Sequence, residues 1–169
     1  MTTMPDYDDF YVALWPRLVR TTYAVSGDLG VAEDAVQTAF AKAYRSWRRV
    51  SRLDAPEAYV RKMAVNEVLN TRRRAHTRRE VTRAELPEVA AGSSYDGALA
   101  RDEMWAVVSA LPPRQRAVLV LRYYEDLSEQ QIADVLGCRP GTVKSQAAAA
   151  LATLRKRLDH PTRTGEGRS

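Results

Sequence analysis

Apolar side chains recur at every third or fourth position through most of the chain, and this spacing is typical of helices. Two overlapping apolar stripes over residues 6–26 predict a helix buried around much of its circumference. Pro16 lies within it and predicts either a kink or a later helix start. After Ser26 and Gly27 break the pattern, Asp28 or a neighbour can cap the next helix. With no strand pattern or internal repeat, the sequence predicts an all-α protein.

The helix that follows Asp28 has the clearest division into two faces. Its predicted core face comprises Ala32, Ala35, Val36, Ala39, Phe40, Ala43, Tyr44 and Trp47. Glu33, Asp34 and Gln37 lie on the opposite face. An acidic and amide-bearing surface beside a basic region suggests a protein partner, whereas a solvated face with acids near the N-terminal end of the helix dipole is the plainer alternative. The residues alone leave both interpretations open.

A stretch rich in Pro, Gly and Ser divides the helical segments into two groups. Residues 84–97 have no helical period, and we expect a flexible linker there. The first group covers residues 7–83 and the second covers residues 98–158, so the sequence predicts two small helical bundles. Residues 159–169 are polar with Pro and Gly, which predicts a disordered tail.

The second bundle contains a helix-turn-helix pattern. Ser128 and Gln131 have the spacing of a capping box. Gly137 provides a tight turn, and Pro140 fits the first turn of a second helix. In DNA-binding proteins the second helix of such a pair lies in the major groove. The pattern therefore favours DNA binding over an ordinary two-helix hairpin. The side chains able to bind bases or phosphates are Arg139, Thr142, Lys144, Ser145 and Gln146.

Basic residues are concentrated in one part of the chain. The formal charge is +5, and bases greatly outnumber acids over residues 42–83, which is typical of a nucleic-acid surface. Residues 46–55 lack a helical period and predict a basic loop, and Pro56 opens a further helix. Amides and guanidinium groups on that helix can follow a strand of bases and phosphates. The candidates in loop and helix are Arg48, Arg49, Arg52, Arg61, Lys62, Asn66, Asn70, Arg73 and Arg74.

Several classes of protein are disfavoured. One cysteine, Cys138, excludes an internal disulfide and a cysteine-rich zinc site, and we expect it to be a small buried side chain. The apolar runs are too short to span a bilayer, and no secretion signal is visible, so we expect a cytoplasmic protein without membrane insertion. The two histidines, His76 and His160, lie in the basic cluster and the tail. We expect no enzyme activity, no cofactor and no metal site.

Two motifs make the chain similar to the extracytoplasmic-function sigma factors of bacterial RNA polymerase, which belong to the sigma-70 family. The first resembles sigma region two and comprises Ala-Glu-Asp-Ala-Val-Gln-Thr-Ala-Phe at residues 32–40, Tyr-Val-Arg-Lys-Met-Ala-Val-Asn at 59–66 and three arginines at 72–74. The second resembles region four and comprises Leu-Pro-Pro-Arg-Gln-Arg-Ala-Val-Leu at 111–119, Ser-Glu-Gln-Gln-Ile-Ala at 128–133 and Gly-Thr-Val-Lys-Ser at 141–145. Both motifs in this order are highly specific to that family.

The resemblance implies a promoter-specificity subunit. Glu33, Asp34 and Gln37 would then contact the clamp helices of the largest subunit of the RNA polymerase core. The basic loop and the helix bearing Asn66 would capture the unpaired strand of the minus-ten element, and the helix-turn-helix would read the minus-thirty-five element as duplex DNA. An anti-sigma factor is a further partner that such a protein can have. The alternative function is a helix-turn-helix transcriptional regulator that binds duplex operator DNA.

One segment departs from the family pattern. Sigma factors of this kind commonly carry further basic residues along the recognition helix, whereas Gln146 is followed here by alanines at residues 147–150. Alanine favours helix, so the fold is unaffected. Fewer phosphate contacts predict weaker and less salt-sensitive binding to the minus-thirty-five element.

Overall fold

The computed structural model describes residues 5–82 and 103–159, and the regular structure in both ranges is helical without strands. The first half contains helices α1 (Tyr7–Ser26), α2 (Leu29–Arg45), α3 (Trp47–Val50) and α4 (Pro56–Thr82). The second half contains α5 (Glu103–Ser109), α6 (Pro113–Leu119), a π-helical turn (Val120–Tyr124), α7 (Glu129–Leu136) and α8 (Pro140–Asp159). The all-α prediction is confirmed. The predicted linker at residues 84–97 and the tail beyond residue 159 lie outside the described residues.

The first two helices begin at capping aspartates. The carboxylate of Asp6 accepts a hydrogen bond from the Asp8 amide, so α1 begins at Tyr7. The later start suggested by Pro16 is therefore wrong, because the helix runs through this residue. Asp28 caps α2 as predicted, and its Oδ1 lies 3.0 Å from the amide nitrogen of Val31.

Helices α1, α2 and α4 enclose the core of the first half. Six of the eight predicted core residues of α2 are buried, including Phe40 at the centre of an aromatic cluster. Trp47 is partly buried, but Tyr44 is 64% exposed, so its assignment to the core is wrong. Tyr44 contacts only the edge of this cluster, where its ring centroid lies 4.9 Å from that of Tyr7. Tyr44 lies near the end of α2, where α1 covers only one side of the tyrosine ring.

The predicted basic loop over residues 46–55 contains a short helix. Trp47–Val50 form α3, and Val50 is fully buried against the first-half core. The indole Nε1 of Trp47 donates to the Pro5 carbonyl at 3.2 Å. The loop prediction is therefore wrong over these four residues, because the buried Val50 and the partly buried Trp47 hold a helix that is too short to show a helical period.

The helix-turn-helix forms as predicted. Ser128 and Gln131 make both hydrogen bonds of the capping box, and Gly137 has the left-handed conformation, with φ 63°. Helix α8 begins at Pro140. Part of the alanine run is core, because Ala147 and Ala150 are buried. These small residues let α8 lie close to α6 and α7.

The two halves share one apolar core. Val25, Val65 and Val68 of the first half pack in the same cluster as residues of α6, the π-helical turn and α7. The contributions of the second half include Ala117, Leu121, Ile132, Val135 and Leu136. The bundles are therefore closed onto one another in this conformation. No helix within the described ranges is long and apolar enough to cross a membrane.

Candidate polymerase and nucleic-acid interfaces

The acidic face of α2 is open to solvent. Glu33, Asp34 and Gln37 are all exposed, while the opposite side of the helix is buried. The first turn of α2 holds no acidic residue, and Asp28 already serves as its cap. Because the helix dipole acts mainly within the first turn, it explains little of this acidic surface. Exposure without an internal role favours the protein-partner interpretation.

The basic residues after α2 differ in their side-chain contacts. Arg48 and Arg52 are exposed. Arg49 is also exposed, but its Nη2 donates to the Tyr59 hydroxyl at 2.9 Å, and its guanidinium carbon lies 5.4 Å from the centre of that ring. Stacking of this kind fixes the arginine while leaving several of its N–H donors available.

On α4 the predicted DNA-binding residues fall into two groups. Lys62, Arg73 and Arg74 are exposed and Asn70 is half-buried. Asn66 instead faces the second half of the protein. Its Nδ2 donates to the Lys62 carbonyl at 2.9 Å and to the Val135 carbonyl of α7 at 2.7 Å. Both amide protons of Asn66 are thereby used in the closed conformation.

A buried carboxylate also joins the two halves. The Glu125 side chain, just after the π-helical turn, is only 1% exposed. It accepts hydrogen bonds from the Thr21 hydroxyl, from Arg17 Nη2 at 2.8 Å and from Arg61 Nη1 at 3.5 Å. Arg61, a predicted DNA-binding residue, is therefore engaged between the halves. The burial of Glu125 was not predicted, since one acid among polar residues carries no local sign of burial.

The π-helical turn explains how Glu125 comes to point inward. The Glu125 amide donates to the carbonyl of Val120, five residues earlier, at 3.1 Å. The wider turn leaves Tyr123 and Tyr124 exposed while the next residue enters the interface. Such widened turns are frequent at functional sites.

A second buried charged group lies near the same interface. Arg116 is buried, and its Nη2 donates to the Leu111 carbonyl at 3.2 Å. Burial lowers the pKa of the Arg116 guanidinium, and the positive charge of Arg72 lowers it further. Arg72 in turn donates to the Ser26 carbonyl. The Nε atoms of both arginines are buried donors with no hydrogen-bond partner.

The start of α8 presents most of the predicted duplex-reading residues to solvent. Arg139, Thr142, Lys144 and Ser145 are exposed, whereas Val143 between them is buried in the core. The remaining predicted residue, Gln146, is half-buried. The first turns of α8 therefore pack against the core through Val143 and present polar side chains to solvent, as a recognition helix requires.

A cleft of about 670 Å³ lies where α4 faces the starts of α6 and α8. It brings together residues predicted for two different DNA elements, namely Asn66, Asn70 and Arg73 from α4 with Gln146 from α8. The residues predicted to bind polymerase do not line it. The closed conformation thus combines parts of both predicted DNA sites and keeps the polymerase site separate.

Both halves of the chain match known protein families. Residues 10–79 match the family described as Sigma-70 region 2, and residues 101–154 match Sigma-70, region 4. The chain is 34% identical to the RNA polymerase sigma-E factor of Streptomyces antibioticus over 145 residues. This match covers 84% of this chain and 78% of that protein. It is 31% identical to the ECF RNA polymerase sigma factor SigL of Mycobacterium tuberculosis, over 90% of this chain and 86% of that protein.

Solved structures share the fold. The sigma factor RpoE from Bartonella quintana, solved with the anti-sigma factor NepR, superposes with a TM-score of 0.71 at 22% identity, covering 92% of this chain and 98% of that one. CnrH, solved with the cytosolic domain of CnrY, gives a TM-score of 0.59 at 19% identity, covering 92% and 89% of the two chains.

Proposed function

The chain belongs to the sigma-70 family of bacterial RNA polymerase sigma factors, and from that premise we propose that it acts as a promoter-specificity subunit of the extracytoplasmic-function type. It directs the core polymerase to specific promoters and assists DNA opening. The observation that carries this function is the presence of region 2 and region 4 in one chain and in that order. An operator-binding regulator would need only the second of these, so that alternative is not favoured.

Glu33, Asp34 and Gln37 form the polymerase-docking surface in this proposal, and they contact the clamp helices of the largest polymerase subunit. Their exposure and their position beyond the first turn of α2 support this role. The surface needs no conformational change before the polymerase binds.

Capture of the minus-ten strand is assigned to the basic segment and to α4. Extruding a base costs a few kcal/mol, which a binding pocket can offset without hydrolysis of a nucleotide. Arg61 and Asn66 are tied to Glu125 and Val135 in the closed conformation, so their use requires the halves to separate. The residues that contact the strand are Arg48, Arg49, Arg52, Arg61, Lys62, Asn66, Asn70, Arg73 and Arg74.

Duplex recognition at the minus-thirty-five element is assigned to Arg139, Thr142, Lys144, Ser145 and Gln146. Their place at the start of α8 supports the assignment. Ala147 and Ala150 pack inside the protein and contribute no phosphate contact. This half therefore positions the promoter with few charges, and most of the electrostatic attraction comes from the first half.

The domain division follows the two regions, with the polymerase and minus-ten functions in residues 7–83, the linker at 84–97 and the minus-thirty-five function in residues 98–158. The protein works in the cytoplasm with the polymerase, by binding and without catalysis or a cofactor. NepR is the anti-sigma factor in the RpoE structure, and we include an anti-sigma factor among the partners of this chain.

A pull-down with core polymerase tests the docking surface. We expect Asp34→Ala combined with Gln37→Ala to weaken core binding at least tenfold. Both side chains are exposed, so they do not stabilise the core of the protein, and both lie in the proposed contact with the polymerase. A matched control removes the same residue types from α7, where exposed Gln130 donates to Asp134. Gln130→Ala with Asp134→Ala should leave core binding within twofold. Absence of a complex with the unmodified chain, or equal losses in both variants, would count against the proposal.

Strand capture is tested separately from docking. Arg73→Ala should impair open-complex formation while leaving core binding unchanged, since Arg73 is exposed and lies on α4, away from the acidic face of α2. Permanganate footprinting of the promoter and a core pull-down supply the two measurements. Equal loss in both assays would place Arg73 in docking or folding.

A further inference from the structure

A carboxylate of the second half fills a site that the first half builds from three hydrogen-bond donors. Glu125 Oε2 accepts from Arg17 Nη2 at 2.8 Å and from Arg61 Nη1 at 3.5 Å. Its Oε1 accepts from the Thr21 hydroxyl. Arg17 and Thr21 lie on α1 and Arg61 lies on α4. All three donors therefore belong to one half of the protein, and the acid that binds them belongs to the other.

Separation of the halves leaves this donor set without its acceptor. Among the described residues, Glu125 is the only acid paired with Arg17 or Arg61. Two guanidinium groups around one position repel each other, so another anion is favoured there once Glu125 has left. Thr21, which is fully buried in the closed conformation, adds a hydroxyl donor at the same position. Opening therefore exposes an anion site on the first half.

Glu125 satisfies Arg61 only in part. The contact between them is long, and Arg61 Nε is a buried donor with no hydrogen-bond partner. Arginine binds an anion most strongly through two parallel N–H···O bonds, and Glu125 does not supply the second one. Solvent does not reach this Nε in the closed conformation. An anion that enters the open site can therefore bind Arg61 more completely than Glu125 does.

We propose that Arg17, Thr21 and Arg61 bind a phosphate of the unpaired promoter strand, and that Glu125 occupies their site as a phosphate mimic while the halves are closed. A phosphodiester, like a carboxylate, presents two oxygens that share one negative charge, so the same three donors fit both groups. This inference rests on the proposed function, which assigns Arg61 to the minus-ten strand. It adds Arg17 and Thr21 to the DNA-binding surface and makes closure a competition between two anions.

Fluorescence anisotropy with a labelled oligothymidylate, on the full chain without polymerase, tests this competition. Glu125→Gln keeps the shape of the side chain and removes its charge, so we expect oligothymidylate to bind at least about fivefold more tightly. Glu67→Gln is the matched control, because it makes the same charge change at an acid whose partner, Lys42, belongs to the same half. Its affinity should stay within twofold of the unmodified chain. Circular dichroism checks that both variants are folded.

Arg17→Ala in the Glu125→Gln background tests whether the gain in affinity comes from this site. The added substitution should remove most of the gain and reduce the salt slope of binding by about 0.7, the value for one phosphate contact on a single strand. A side chain that only stabilises the fold would not change this slope. Arg20→Ala in the same background is the control, since Arg20 is an exposed arginine one turn further along α1. It should leave the affinity within twofold.

Three results would overturn the proposal. The first is no gain in affinity from Glu125→Gln beyond that from Glu67→Gln. The second is a gain that Arg17→Ala leaves intact, and the third is an equal loss from Arg17→Ala and Arg20→Ala. Because polymerase is absent from this assay, none of these results would affect the docking experiment on the acidic face of α2.

Discussion

The contact between Thr21 and Glu125 offers a quantitative test of closure between the halves. Thr21 Oγ1 lies within hydrogen-bond distance of the Arg17 carbonyl and of the Glu125 carboxylate. One hydroxyl proton can serve only one acceptor at a time. A carboxylate is a stronger acceptor than a backbone carbonyl, so it receives the proton. The substitutions Thr21→Val and Glu125→Leu, made singly and together, form a double-mutant cycle across the interface, because leucine, unlike glutamine, cannot accept the hydroxyl proton.

The structure sets the expected size of this coupling. Hydrogen bonds to charged groups contribute about 1.5 to 3 kcal/mol, and both partners here are buried. The Arg17 side chain is 49% exposed, so water compensates it and its own pair with Glu125 adds little. The Arg61 side chain is 14% exposed and loses more when the carboxylate is neutralised. We expect a coupling energy between Thr21 and Glu125 of about 1.5 kcal/mol or more.

Urea unfolding of the four proteins in the cycle measures the coupling. The exposed pair of Lys42 and Glu67 provides the comparison, because its atoms are 3.1 Å apart but its side chains are 56% and 22% exposed. A parallel cycle on that pair should give less than about 1 kcal/mol. A coupling near zero for Thr21 and Glu125, or one no larger than the surface pair gives, would refute the buried contact between the halves.

Two further predictions concern the helix-turn-helix. Gly137→Ala should lower the free energy of unfolding by about 1 to 2 kcal/mol, since φ is 63° while no atom lies within 4 Å of the added Cβ, and Gly137→Asn should cost less. Urea unfolding measures both variants, and equal costs would contradict a purely conformational origin. Lys144→Ala should reduce the salt slope of minus-thirty-five duplex binding by about 0.9. Titrations at several salt concentrations check this, and an unchanged slope would remove Lys144 from the phosphate contacts.

Local patterns predicted most of the helical architecture. The capping box at Ser128, the left-handed turn at Gly137 and the start of α8 at Pro140 each depend on neighbours within a few residues. The buried face of α2 follows from periodicity for the same reason. The exposed acidic positions on that helix could also be predicted, because they lie opposite the core face that helical periodicity defines.

The interface between the halves could not be predicted in this way. Glu125, Thr21 and Arg116 are buried by partners far away in the sequence, and nothing near each residue distinguishes it from a solvated one. The same limit applies to Asn66, whose amide was interpreted as a group for DNA and here donates to the Val135 carbonyl. Whether such a residue faces DNA or another helix depends on how the halves are arranged.

Mapping of transcription start sites tests most directly whether this chain gives RNA polymerase its promoter specificity. Core polymerase is reconstituted with the protein on genomic DNA, and the transcripts are sequenced. We expect start sites that cluster downstream of one pair of shared promoter elements and disappear with the Asp34→Ala, Gln37→Ala variant. Start sites indistinguishable from those of core polymerase alone would contradict it.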